Sequence, residues 1–193
     1  TADELSERFG IGFQRARATL NATLQRGLRS AILPISRRYR ADRMFQRKRI
    51  QGKFSTDTAW FKTKSIRQNV ASQIYYHKSG FAACYHVPKA DDKNIGPTLT
   101  TFSSDFGIPE HLTMDGASVQ VGRNTEFMTF IRRNEIDFHV SHPRRPNENP
   151  SEGGIREIKR KFYRLVQKYA IPMRLWDYVL DYVVEIMNVT VNS

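Results

Sequence analysis

Hydrophobic and polar positions alternate with two different periods along this chain. Five segments show the alternation or the short apolar runs that are typical of β-strands: 53–61, 70–76, 81–87, 112–114 and 136–140. Four segments that follow the first strand repeat apolar residues every three or four positions, as helices do: 95–106, 126–134, 151–169 and 173 onward. The order is β-β-β-α-β-α-β-loop-α-α. It predicts an α/β fold with a mixed five-stranded sheet flanked by helices on both faces.

The N-terminal part has a separate organisation. Two helical patterns, 2–9 and 13–24, are divided by a three-residue glycine turn, so we expect a small helix-turn-helix-like segment over residues 1–31. Two helices that simply pack together fit the same pattern. Residues 32–53 are predicted to be a basic linker, and residues 54–193 form the main domain.

The charge of the chain is concentrated in this N-terminal part. The formal net charge is +12, and residues 1–54 hold 13 Lys/Arg against 4 Asp/Glu, a net charge of +9. A basic arm on a nearly neutral body indicates a polyanionic partner, most directly nucleic acid. The alternative is an exposed linker whose charges are only solvated. The candidate DNA contacts in this arm are Arg37, Arg38, Arg40, Arg47, Lys48 and Arg49.

Several classes of protein are excluded by composition. The chain has one cysteine, Cys84, which rules out a disulfide within the chain. Its five histidines and that cysteine lack the spacing of a four-ligand zinc module. No apolar run is long enough to cross a membrane, and no secretory signal is visible. We therefore expect an intracellular location, nuclear in a eukaryote. The chain begins without Met, so it is expected to be a fragment of a longer protein.

Three carboxylates stand where a metal site would form. Asp57 lies in the first strand, Asp115 ends the fourth, and Glu152 begins a basic helix. The order of elements resembles the ribonuclease-H-like arrangement, in which the first and fourth strands are neighbours. In such a sheet Asp57 and Asp115 converge, and Glu152 closes the site from the side.

Clustered carboxylates repel one another, by about 4 kcal/mol for a pair 4 Å apart at an effective dielectric of about 20. Divalent cations relieve this repulsion, and oxygen ligands favour Mg²⁺ or Mn²⁺ over zinc. Two such ions hold the attacking and leaving oxygens of a phosphoryl displacement. The alternative for each acid is a surface charge or a helix cap, and Glu152 does lie in a first turn, where acids are favoured.

The helix that begins at Glu152 also carries cations on the same face. Arg156 and Lys159 follow the glutamate by four and seven positions. Cations beside a metal-binding acid suit a DNA phosphate that passes the site. An ion pair within the helix is the alternative.

The motifs together resemble the integrase core of LTR retrotransposons and retroviruses. They are Asp57-Thr58, Asp115-Gly116 and the pattern P-x-x-P-x-x-N-x-x-E-x-x-I-R-E-I-K over residues 143–159. The stretch MRLWDY at 173–178 is similar to the helix after the glutamate helix in copia-like elements. The resemblance covers roughly residues 54–190.

The resemblance implies a ribonuclease-H-like fold and a D,D,E triad of Asp57, Asp115 and Glu152 that binds two Mg²⁺ or Mn²⁺ ions. It implies cleavage near a DNA 3′ end, followed by strand transfer into a target. The implied partners are double-stranded DNA, both element ends and target, and further copies of the chain. Arg156, Lys159 and Asn149 match family positions near the donor DNA.

The chain departs from the family in two ways. Asp115 and Glu152 are separated by 36 residues, one more than the commonest retroviral spacing, and the proline-rich loop can absorb the extra residue. The zinc-binding His-His-Cys-Cys module that usually precedes the core is not found in residues 1–193, and either the basic helical arm replaces it or it lies upstream of Thr1. Two alternatives remain open. One is a related transposase or nuclease, and the other is a non-catalytic DNA-binding protein derived from a decayed, inactive integrase copy.

Overall fold

The computed structural model describes residues 1–22, 48–116, 122, 125–141 and 150–190, without the side chains of residues 150–152. Its strands are β1 Arg49–Trp60, β2 Ala71–His77, β3 Ala82–Val87, β4 Ile108–Met114 and β5 Asp137–Val140. Its helices are α1 Ala2–Phe9, α2 Phe13–Ala22, α3 Asp92–Asp105, α4 Glu126–Arg133, α5 Pro150–Lys168 and α6 Trp176–Val189, with a 3₁₀ turn at Met173–Leu175.

The strands form one mixed sheet in the order β3-β2-β1-β4-β5. The hairpin pairs β1–β2 and β2–β3 are antiparallel, while β1–β4 and β4–β5 are parallel. The two parallel pairs are joined by connections that contain α3 and α4, as parallel strands require. The predicted element order and the mixed five-stranded sheet are confirmed.

Each face of the sheet is covered by a pair of helices. On one face the buried side chains of the strands pack against α3 and α4; this core includes Phe54, Tyr75, Leu99, Phe102, Leu112 and Phe127. On the other face they pack against α5 and α6, and this core includes Ala59, Ile74, Ile158, Phe162, Trp176 and Leu180. Because successive strand residues point to opposite faces, β1 contributes to both cores.

The first strand is longer than its sequence pattern suggests. It begins at Arg49, inside the predicted linker 32–53, rather than at Lys53. Its register with β4 shifts between Ile50 and Lys53, where Gly52 has a φ of 108°. The start of the strand was missed because none of residues 49–53 is fully buried and a glycine occupies the inward-facing position 52, so this stretch has the composition of a basic linker.

The start of α5 also differs from expectation. We expected Ser151 to cap this helix from outside, but the helix already includes Pro150. Proline suits the first turn of a helix, where its missing N–H would have no partner in any case.

The two N-terminal helices pack against α5 and against the C-terminal part of α6. Helix α1 begins with a capping box between Thr1 and Glu4 and ends at Gly10 in the left-handed conformation. Ile11 and Ala16 pack against Ile186 of α6. These helices therefore share a small core with the main domain. None of the helices in the described part of the chain is long and apolar enough to cross a membrane.

Candidate functional site

Two of the predicted acids lie side by side on interior strands of the sheet, Asp57 on β1 and Asp115 directly after β4. The register pairs Thr56 of β1 with Met114 of β4 in the parallel orientation, so Asp57 and Asp115 are the next residues on neighbouring strands. Adjacent strands are about 4.8 Å apart. Asp57 is half-buried, while Asp115 is exposed. Two acids are thus presented together on a surface that solvent and ions can reach.

Both carboxylates are oriented in the same way. The Oδ1 atom of Asp57 accepts a hydrogen bond from the backbone N–H of Thr58 at 2.6 Å. The Oδ1 atom of Asp115 accepts one from the backbone N–H of Gly116 at 2.7 Å. A hydrogen bond from the following amide limits the rotation of each carboxylate. An oriented pair of carboxylates is the ligand set that a hard divalent cation requires.

A buried polar network fixes the residues on either side of Asp57. The side chain of Gln73 is fully buried; its Nε2 donates to Oγ1 of Thr56 at 2.6 Å, and its Oε1 accepts from Oγ1 of Thr58 at 2.7 Å. The Thr56 hydroxyl in turn donates to the carbonyl oxygen of Ile74 at 2.9 Å. The network therefore holds β1 against β2 at the position of the acid.

The third predicted acid, Glu152, lies in the first turn of α5, and its side chain is outside the described part of the structure. This turn approaches the sheet closely. A Cβ placed on Gly154 would lie 2.5 Å from Cδ2 of Tyr76, and Tyr76 pairs with Ser55, two residues before Asp57. A side chain larger than that of glycine would have to displace the Tyr76 ring, so Gly154 sets how near the start of α5 comes to β2, the neighbour of the strand that carries Asp57.

The predicted DNA contacts fall in different places. Arg156 is exposed and Lys159 is half-buried on α5, one and two turns beyond Glu152. Asn149 and the linker residues Arg37, Arg38, Arg40 and Arg47 lie outside the described residues.

The structure does not bring Lys48 and Arg49 to the acids. Arg49 begins β1, so at about 3.3 Å per residue it lies about 26 Å along the strand from Asp57. Its Nη2 donates to the carbonyl oxygen of Asn134 at 2.7 Å, at the C-terminal end of α4. A cation at this end of a helix satisfies terminal carbonyls, so Arg49 has a structural contact that the sequence did not predict.

The sequence analysis also missed a second cluster. Cys84 and His86 of β3 and Asp181 of α6 offer ligand atoms that all lie within 4.8 Å of one another, the one such trio among the residues described. Burial raises the pKa of the Cys84 thiol well above its ordinary value. Burial also acts to raise the pKa of Asp181, but hydrogen bonds from His86 and Cys84 outweigh it, and that pKa is lowered. The signal in the sequence was the spacing of Cys84 and His86, which places both on one face of a strand.

Solved structures with a similar fold include retroviral integrases. The catalytic core domain of HTLV-2 integrase in complex with magnesium, in its dimeric form, matches with a TM-score of 0.52 and 14% identity over 69% of this chain and 82% of that chain. The simian T-cell lymphotropic virus intasome in complex with the PP2A regulatory subunit B56 gamma matches with a TM-score of 0.57 and 16% identity over 95% of this chain and 64% of that chain.

The catalytic core domain of BIV integrase matches with a TM-score of 0.50 and 13% identity over 71% of this chain and 80% of that chain. No protein-family model matches the chain, and no curated protein matches it significantly. At these identities the likeness concerns the fold. The chain has the ribonuclease-H-like fold of retroviral integrase catalytic cores, which confirms the predicted fold class.

Proposed function

We propose that this chain is the catalytic core of a retroelement integrase, in which Asp57, Asp115 and Glu152 bind Mg²⁺ or Mn²⁺. The observation that carries the proposal is the adjacent placement of Asp57 and Asp115 on parallel strands of an integrase-like fold. The catalytic core domain of HTLV-2 integrase was solved in complex with magnesium, which supports the choice of metal.

The three carboxylates would bind the ions from different elements of the fold. Asp57 and Asp115 hold the ions from two strands, each with its Oδ1 atom already oriented by a backbone amide. Glu152 approaches from α5, whose first turn is close to the sheet at Gly154. The three acids would hold the ions, and the ions would supply charge stabilisation for the attacking and leaving oxygens of the phosphoryl transfer. The attacking group would be water in 3′-end cleavage and a DNA 3′-OH in strand transfer.

Double-stranded DNA is the proposed substrate, both as element end and as target. The exposed side chain of Arg156 and the half-buried side chain of Lys159 lie on the same helix as Glu152, and they would bind donor phosphates together with Asn149. The cations of the linker, Arg37, Arg38, Arg40 and Arg47, add sequence-independent affinity. The intasome among the structural neighbours supports a DNA-bound homo-oligomer.

We further propose an LTR retrotransposon, copia-like in its helix after the glutamate, as the source. This part of the proposal rests on the motifs IREIK at 155–159 and MRLWDY at 173–178. An integrase of such an element would act in the nucleus of a eukaryotic host.

The deciding experiment is strand transfer of a labelled DNA duplex by the purified chain with Mg²⁺ or Mn²⁺. We expect products from the wild type and none from Asp57→Asn, Asp115→Asn or Glu152→Gln, each of which should keep its DNA affinity. Asp137→Asn is the matched control, because Asp137 begins β5 and pairs in register with His111, away from Asp115.

Activity that survives in one of the three variants would remove that residue from the site. A wild-type chain that binds DNA without forming products favours the non-catalytic, DNA-binding alternative. Cleavage without strand transfer favours a related nuclease.

A further inference from the structure

Two ligand-type side chains of the edge strand β3 converge on one carboxylate oxygen of a third, Asp181 of α6. The Sγ atom of Cys84 lies 3.3 Å from Oδ1 of Asp181, and Nε2 of His86 lies 2.8 Å from the same atom. Cys84 and His86 alternate along β3 and so point to the face that α6 covers. In the metal-free chain, a thiol hydrogen and an imidazole hydrogen are thus both directed at a single oxygen. A bound cation would take the place of these two hydrogens.

This cluster is distinct from the acids of the proposed catalytic site. In the sheet register Asp57 pairs with Ile74, and Ile74 pairs with Cys84, so two strand spacings, about 10 Å, separate the acid from the thiol. Ile74 is fully buried between them. The ligand types differ as well, because the catalytic acids offer only oxygen.

From this geometry we infer that Cys84, His86 and Asp181 form a site for Zn²⁺ or a divalent ion of similar softness. Thiolate and imidazole ligands select such ions over Mg²⁺, and three protein ligands with one open position are a common zinc arrangement. The thiolate and the carboxylate together neutralise the two positive charges of the ion. Binding releases the thiol proton to solvent, while the imidazole stays neutral because its proton moves from Nε2 to Nδ1, which leaves Nε2 free to bind the ion.

The surroundings prepare the ligands. The His86 side chain is only 7% exposed, and its ring packs edge-on against Trp176 with centroids 5.4 Å apart. Within the described residues, the buried Nδ1 atom of His86 has no hydrogen-bond partner. The packing against Trp176 therefore orients the ring, and Nε2 faces the cluster.

The cluster opens into a cleft that gives access to an ion and to a water ligand. Asn94, Thr98 and Thr101 of α3 line its other wall. The nearby charges are of both signs. Among the cations, Nη2 of Arg67 lies 3.7 Å from Oδ2 of Asp181, and Lys93 lines the cleft. The anion is Glu185, one turn further along α6, whose charge acts to raise the pKa of the Cys84 thiol. A bound ion would tie the edge strand β3 to α6.

The test is a Co²⁺ titration of the chelator-treated full chain, followed by displacement with Zn²⁺. We expect one equivalent of Co²⁺ with the near-ultraviolet thiolate-to-cobalt absorption, lost on adding Zn²⁺. Cys84→Ala should abolish that absorption. Cys84→Ala and Asp181→Asn should each weaken Zn²⁺ binding by about 100-fold or more, because the loss of a ligand should cost at least as much affinity as the loss of a residue that only supports a ligand.

Two control variants keep the result specific. Asp137→Asn breaks another His–Asp pair, His111 Nδ1 to Asp137 Oδ2 at 2.6 Å, which has no thiol beside it, and should keep the cobalt signal. Asp57→Asn should keep it too, so that failure of the catalytic proposal and failure of this site are told apart. This inference does not rest on the proposed function.

A second measurement needs no variant, and it decides the question if Cys84→Ala fails to fold. Because Cys84 is the single cysteine of the chain, a thiol reagent reports on it alone. Zn²⁺ should slow alkylation of the native protein at least tenfold, whereas Mg²⁺ should not. Absence of the thiolate absorption, unchanged Zn²⁺ affinity in Cys84→Ala, or alkylation that Zn²⁺ does not slow would each overturn the site.

Discussion

Asp57 and Asp115 occupy equivalent positions on two parallel strands, each one residue beyond the register pair Thr56–Met114. Neither carboxylate is buried in the core, since the side chain of Asp57 is half-buried and that of Asp115 is exposed. Two like charges on adjacent strands repel each other, and a cation between them would relieve that repulsion. The arrangement is the one that the proposed metal site needs.

This relationship predicts opposite effects of Asp115→Asn in the absence and presence of metal. Without divalent ions, the free energy of unfolding should be unchanged or up to about 1 kcal/mol higher, since a repulsion at a solvent-exposed position is removed. With Mn²⁺, the rise in melting temperature that the wild type shows should be lost. Urea and thermal denaturation with and without Mn²⁺ measure both effects.

Glu110→Gln is the control for that prediction, because Glu110 is an exposed acid on the same strand. It should keep the stabilisation by Mn²⁺. A marked loss of metal-free stability in Asp115→Asn would mean that the carboxylate has a structural role and would count against a metal site there.

The two glycines at 153 and 154 should respond in opposite ways to alanine. Gly154→Ala forces a Cβ against the ring of Tyr76 and should lower the free energy of unfolding by about 1–3 kcal/mol. Gly153 has nothing within 4 Å of its Cβ position, so Gly153→Ala should stabilise the helix by up to about 1 kcal/mol. Urea denaturation of the two variants makes the comparison.

The two glycine variants should also differ in strand-transfer activity. Since Gly154 determines how near α5 comes to the sheet, Gly154→Ala should also reduce activity, and Gly154→Ala with Tyr76→Leu should recover part of it. Equal stability of the two alanine variants would show that the close approach at Gly154 does not constrain the helix.

The buried Gln73 should be necessary for the position of Asp57. Gln73→Leu leaves the Thr58 hydroxyl without its 2.7 Å partner and removes a donor to Thr56, so we expect a loss of about 1–3 kcal/mol. Strand transfer should fall while DNA affinity is retained. Adding Thr58→Val should restore part of the stability, because the orphaned hydroxyl is then gone.

Ser72→Ala is the matched control for Gln73, since Ser72 is also fully buried on β2 but makes only a long 3.4 Å bond to the carbonyl oxygen of Tyr85. It should cost well under the loss of Gln73→Leu and leave strand transfer unchanged. If Gln73→Leu retains full activity, the network supports the sheet without positioning the acid.

The sequence predicts the fold well where burial and local signals agree. Helix α1 has the predicted bounds because a glycine ends it in the left-handed conformation. The start of β1 was missed because Arg49, Gln51 and Lys53 are exposed, while the inward positions between them are only half-buried and one of them is Gly52. Periodicity reports burial, so a strand that begins on a solvated edge leaves little trace in it.

The site shows a different limit. Asp57 and Asp115 could be paired from the sequence because their motifs and the strand order agreed. Cys84 and Asp181 are 97 residues apart, on a strand and a helix that meet only through tertiary packing. The structural role of Arg49 was hidden for the same reason, since its partners Asn134 and Glu135 lie 85 and 86 residues away.

The stability of the fold should depend on the neutral form of His77. Burial, with a smaller contribution from Lys78, lowers the pKa of this imidazole. Its Nδ1 accepts a hydrogen bond from the backbone N–H of Ser79, and its ring packs on Phe54 at 4.9 Å. The unfolded chain, in which the pKa is about 6.5, therefore binds the proton more readily than the folded chain.

Protonation consequently favours unfolding over a defined pH range. The contribution of neutral His77 is complete above about pH 6.5 and is lost as the pH falls from there towards the lowered folded pKa. We expect the free energy of unfolding, measured with urea between pH 5 and pH 8, to decrease on the acid side. His77→Asn should flatten this dependence, since its amide oxygen can accept from Ser79 without a proton. His139→Asn, on exposed β5, should keep the slope because His77 remains. An undiminished slope in His77→Asn would assign the acid sensitivity to other groups.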